Sequence, residues 1–138
     1  MIYHATRLTL RPGAPAGKAE EAIESMRYQG RVIPSVISFV VGQDVGGEYD
    51  WGATYVIKDL DGYWEYLKHP AHRHTDEIGL PLVDKFVSFD ITDDPDPQIG
   101  EKIAALWQRR FDEYPEIANL VSDLNSYTGS SAPDPHTD

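Results

Sequence analysis

The chain contains no cysteine. Disulfides, thiolate nucleophiles and cysteine-held zinc or iron–sulfur clusters are therefore excluded. Basic residues are scarce as well. Lys and Arg number 12 against 23 Asp and Glu, giving a formal charge of −11 over 138 residues. Nucleic acid and anionic membrane surfaces both require a basic footprint, so neither is expected as a partner. No apolar run approaches the roughly 20 residues that cross a bilayer. The opening MIYHATRLTL lacks the basic and apolar regions of a secretion signal, which predicts a cytoplasmic protein. There is no Gly-x-Ser-x-Gly elbow, and Val45-Gly46-Gly47 has neither the lysine nor the setting of a phosphate loop.

What remains is ordinary for one globular domain. Hydrophobic residues make up 41% and charged residues 25%, enough for a single core. Residues 2–10 alternate, with His4, Thr6, Leu8 and Leu10 on one side and Tyr3, Ala5, Arg7 and Thr9 on the other. That period predicts a strand. Residues 18–29 predict a helix with Ala19, Ala22, Ile23 and Met26 on its inner face, stopped by Gly30. Val36–Val41 predicts a buried strand, and Trp51–Lys58 a third with Trp51, Ala53, Tyr55 and Ile57 on one face. A second helix, capped by Asp59 or Asp61 and running to about His69, carries Tyr63, Tyr66 and Leu67 inward. From Pro70 a short turn passes through the histidines. Leu82–Ile91 is the fourth strand, with Phe86 and Ser88 on one face and Val87, Phe89 and Ile91 on the other.

The order β-α-β-β-α-β is the ferredoxin-like unit of the α+β class. Helices cover one face of its sheet. The other face also carries Val and Phe side chains, which predicts a second copy of the chain against it, a homodimer. Residues 1–92 form this domain. Residues 93–124 supply an acidic linker and two further helices, the first striped by Ile99, Ile103, Leu106, Trp107 and Phe111, with Lys102, Arg109 and Arg110 mostly off the stripe. The stripe predicts packing against the barrel or the dimer. Residues 125–138 read as a polar, disordered tail.

The stretch Tyr63–Asp76 concentrates the chemistry. Imidazole has the side-chain pKa nearest neutrality and can take and return protons there. A phenol can donate a hydrogen bond to a carbonyl oxygen that is gaining charge. The predicted face between sheet and helices holds His4, Thr6, Tyr55, Tyr66 and Ser88 beside Leu8, Ile23, Met26, Ala53 and Phe86. So many polar groups on one core face predict a lined cavity, although each could instead bond to nearby backbone or water. His69, His72 and His74 with Asp76 have metal-ligand chemistry, but their spacing fits no zinc signature, and neither metal nor cofactor is expected.

The segments Val32-Ile33-Pro34, Val41-Gly42-Gln43-Asp44, Tyr66-Leu67-Lys68-His69-Pro70-Ala71-His72 and Lys85-Phe86-Val87-Ser88-Phe89-Asp90, with His4 on the first strand, resemble the stress-responsive dimeric α/β-barrel family. The resemblance covers roughly residues 1–92. Within the family the pattern is most similar to polyketide cyclases of the olivetolic acid cyclase type, which close a linear chain by an aldol reaction. It implies His72 as the catalytic base, Tyr66 as its phenolic partner and His4 as a pocket histidine. It also places Ala22, Ile23 and Met26 where such cyclases carry pocket aromatics, so the ligand would differ. The expected function is acid–base chemistry on a small, largely apolar carbonyl compound. The alternative is a non-enzymatic, small-ligand-binding or stress-responsive homodimer of the same fold, in which His72 and His69 pin a loop.

Overall fold

A computed structural model describes residues 1–129 of the chain. Strand β1 (Ile2–Leu10) lies inside a five-stranded sheet, with helices over one face. Its alternation buries Ile2, His4, Thr6 and Leu8 and leaves Tyr3 outward. Helix α1 (Ala16–Val32) runs past Gly30, where its end was expected. A Cβ at Gly30 would fall 2.5 Å from a ring carbon of Phe39, so this glycine admits the Phe39 ring to the helix instead of ending it. The helix stops before Ile33, which is extended, as the residue preceding a proline prefers.

Strands β2 (Val36–Gln43) and β3 (Trp51–Ile57) pair antiparallel. Helix α2 (Leu60–Lys68) starts on Asp59, whose side chain accepts the Gly62 N–H at 2.8 Å. The histidine segment, expected as a short turn, is a full helix, α3 (Pro70–Gly79). Pro70 stands in its first turn, where no N–H is needed, and His69 Nδ1 accepts the Ala71 N–H at 3.0 Å. A 3₁₀ turn, Leu80–Leu82, precedes β4 (Val83–Thr92), so Leu82 lies just outside the strand that was expected to contain it.

The strand order is β2-β3-β1-β4, then β5 (Ser126–Gly129), which pairs parallel to β4. Residues 126–129, expected in a disordered tail, are thus part of the sheet; residues 130–138 lie outside the described residues. In the central ladders His4 faces Tyr55 and Asp90, and Thr6 faces Ala53 and Ser88. Period two therefore aims these side chains at the helices. The arrangement is the expected ferredoxin-like α+β fold.

Helices α4 (Ile99–Glu113) and α5 (Pro115–Ser122) pack on the chain's own helices, α4 on α2 and α5 on α3. Ile103, Trp107 and Phe111 are buried, as the stripe predicts. Arg110, expected mostly off that stripe, is only 2% exposed because it finds a carboxylate inside. On the opposite sheet face Tyr3, Val40, Phe89 and Ile91 remain exposed, Val40 and Ile91 each by 64%. Among the described residues no helix is long and apolar enough to cross a membrane.

Candidate active site

The α2–α3 corner brings Tyr66 and His72 together. Their rings stack 4.3 Å apart at 21°. His72 Nδ1 lies 3.2 Å from the Tyr66 backbone carbonyl. A carbonyl only accepts, so Nδ1 carries the proton and Nε2 keeps its lone pair. Burial, joined by the nearby Arg110 and His4, holds the His72 pKa well below its ordinary value. The ring is therefore neutral near pH 7, the form a general base requires. Burial pushes the Tyr66 phenol well above its ordinary pKa, so it stays a protonated donor. Tyr66 and His72 both line the same cavity.

Asp76 stands one turn beyond His72 on the same helix face, its Oδ2 3.6 Å from His72 Nε2. Arg110 Nη2 donates to the same oxygen at 2.6 Å. Burial raises the Asp76 pKa, and the Arg110 guanidinium pulls it back.

A second histidine is held from β1. His4 Nδ1 lies 3.0 Å from Asp90 Oδ1, and Tyr63 donates to that oxygen at 2.9 Å. Against a carboxylate acceptor His4 carries a proton on Nδ1. Trp107 Nε1–H donates to the Tyr63 hydroxyl at 2.9 Å and so bolts α4 to α2. The Tyr55 hydroxyl is fully occupied: it donates to the Met26 carbonyl and accepts from Gln29 Nε2, both at 2.8 Å.

Between sheet and helices these groups enclose a cavity of about 70 Å³. That is room for several waters or a small group, and less than most drug-sized ligands need. His4, Thr6, Leu8, Ala22, Ile23, Met26, Tyr55, Tyr66, His72, Phe86 and Ser88, all expected at the pocket, line it. Ala53 does not: it sits on β3, beyond β1 from β4, and its methyl group is too short to reach the cavity as Tyr55 does. Sequence reasoning missed Asp76, Trp107 and Arg110 as wall residues, and it assigned Asp90 no role. Buried Thr6 Oγ1 and Gln29 Oε1 have no hydrogen-bond partner among the described residues. His69 is spent on its helix cap and His74 points outward, so the histidines do not converge. Among the described residues no group of three His, Asp or Glu could hold a metal ion.

The profile of the Dabb family, described as Stress responsive A/B Barrel Domain, matches residues 2–93. The chain belongs to this family. Helices α4 and α5 and strand β5 lie beyond the matched domain. No curated protein matches the sequence. Among solved structures, a dimeric ferredoxin-like protein of Thermobifida fusca is 23% identical with a TM-score of 0.60, over 66% of this chain and 89% of its own. The hydroxynitrile lyase of Passiflora edulis is 10% identical, TM-score 0.60, over 70% and 96%. SnoaB, a cofactor-independent oxygenase of Streptomyces nogalater, is 12% identical, TM-score 0.55, over 70% and 95%. At these identities the likeness is one of fold.

Proposed function

We propose that this Dabb protein is a cofactor-free acid–base enzyme acting, as a homodimer, on a small, largely apolar carbonyl compound. The observation that carries the reading is the Tyr66 hydroxyl. It is a buried, protonated phenol in the cavity wall, stacked on a neutral imidazole. In the most concrete form, His72 Nε2 takes a proton from the carbon next to a carbonyl. The C–H electrons pass into the enolate, whose carbon attacks a second carbonyl of the same chain and closes a ring. Tyr66 donates to the electrophilic carbonyl oxygen, and that bond strengthens as the oxygen becomes an alkoxide, which then takes the proton from the His72 imidazolium. His4 orients a substrate oxygen or serves as the second base. The occurrence of a lyase and a cofactor-independent oxygenase on this fold supports acid–base chemistry here, and aldol closure of a polyketide-like chain is its specific form.

The test is cyclisation of a linear diketone able to close to a cyclohexenone, followed by NMR. His72→Ala abolishes turnover while the protein stays folded and dimeric, and Tyr66→Phe slows it strongly. Full activity in His72→Ala removes the assigned base. The small volume of the cavity favours a second reading, a non-enzymatic homodimer that binds a small ligand. It predicts ligand binding without turnover, unchanged by the His72→Ala substitution.

A further inference from the structure

We propose that Arg110 is a ligand-binding residue that forms, with Tyr66, a pair of donors selective for a neutral β-dicarbonyl group over a lone ketone or a carboxylate. The inference rests on the cavity reading above and adds to it a residue from outside the matched domain. A guanidinium carries five N–H donors. In this site one of them, on Nη2, is committed to Asp76, and Nε has no partner among the described residues. Arg110 is nonetheless 2% exposed and lines the cavity. Burying so many donors is unfavourable unless something within the site accepts from them.

The placement says what that acceptor is. Asp76 Oδ2 touches Arg110 Nη2 on one side and lies 3.6 Å from His72 Nε2 on the other. The guanidinium is thus one carboxylate oxygen away from the nitrogen that receives the proton. Tyr66 flanks the same imidazole through its stacked ring. An enolate formed there from a β-dicarbonyl spreads its charge over two oxygens, and the site offers one donor to each. A ligand that arrives already anionic fares worse. Asp76 neutralises Arg110, and Asp90 stands behind His4, so no net positive charge awaits it. A neutral dicarbonyl becomes negative only as His72 becomes positive.

The experiment compares three five-carbon probes, acetylacetone, methyl propyl ketone and pentanoate, by calorimetry on the full chain. Acetylacetone binds at least about tenfold more tightly than methyl propyl ketone, the gain from one extra bond to a charged donor, and pentanoate binds no better than the ketone. In the double variant Asp76→Asn, Arg110→Met, which removes both charges and strands neither, the two ketones bind alike. The wild-type comparison holds whether or not that variant folds. Equal binding of the two ketones, a preference for pentanoate, or a diketone preference that survives in the folded double variant overturns the role of Arg110 alone. Failure of all three probes to bind overturns the cavity reading and this inference with it.

Discussion

Replacing Tyr63 by Phe removes one oxygen from the centre of the molecule. That oxygen accepts the Trp107 indole N–H at 2.9 Å, donates to Asp90 at 2.9 Å and lies 3.0 Å from His4 Nδ1. The ring stays, so packing is nearly unchanged. What is lost is the acceptor for a buried indole N–H and one of the donors to Asp90. A buried polar group left without its partner costs about 1–3 kcal/mol, so Tyr63→Phe destabilises by about 2–4 kcal/mol. Urea unfolding followed by far-UV circular dichroism reads this directly, at fixed protein concentration because the proposed dimerisation would couple to stability. The double-mutant cycle gives the sharper result. In a Trp107→Phe background no N–H remains to be stranded, so Tyr63→Phe costs about 1–2 kcal/mol less there than in the wild type. A Tyr63→Phe protein within about 0.5 kcal/mol of wild type, or a cycle without coupling, refutes the claim that this hydroxyl fastens the C-terminal helices to the domain.

Three further outcomes follow from the same structure. Because burial depresses the His72 pKa, the folded state binds this proton less readily than the unfolded chain. Its contribution to stability is complete above the ordinary histidine value of about 6.5 and is lost as pH falls through the folded value. The raised Asp76 pKa acts in the opposite sense and offsets part of the loss at lower pH. An NMR titration placing the His72 ring at or above ~6.5 contradicts this. Ile91→Glu, on the exposed sheet face, converts the proposed dimer to monomer in size-exclusion chromatography; an unchanged elution volume shows that this face is not the one covered. Gly30→Ala drives a methyl group into the Phe39 ring and costs about 1–3 kcal/mol despite alanine's higher helix propensity, and wild-type stability in urea refutes the contact.

The four strands of residues 1–92 and their succession along the chain were legible, and β5 was not, because alternation and apolar runs are local properties. His4, Thr6 and Ser88 share a face by period two alone, and the ladders then set them side by side. The same alternation placed Asp90 in line with Phe86 and Ser88, so the support of His4 was present in the pattern. It went unread because a lone carboxylate on a strand is more often solvated. Asp76 follows His72 by four helical positions, a spacing that also signalled a shared face. Arg110 was harder to find. It follows Trp107 by three positions and borders the apolar stripe, but an arginine there ordinarily turns to water. Only the tertiary placement of Asp76 opposite it makes burial tolerable. Gly30 was misread for a related reason, since the ring that needs its missing side chain belongs to β2.

The Tyr127 ring lies 4.9 Å from that of Phe86, stacked at 23°, and both residues line the cavity. Half of this stacked pair stands on a four-residue segment held to the sheet along a single side. Short segments held by few backbone bonds open more often than the interior they border. The part of the wall that Tyr127 supplies is therefore expected to loosen first, while Tyr66 and His72 stand on the helices behind it.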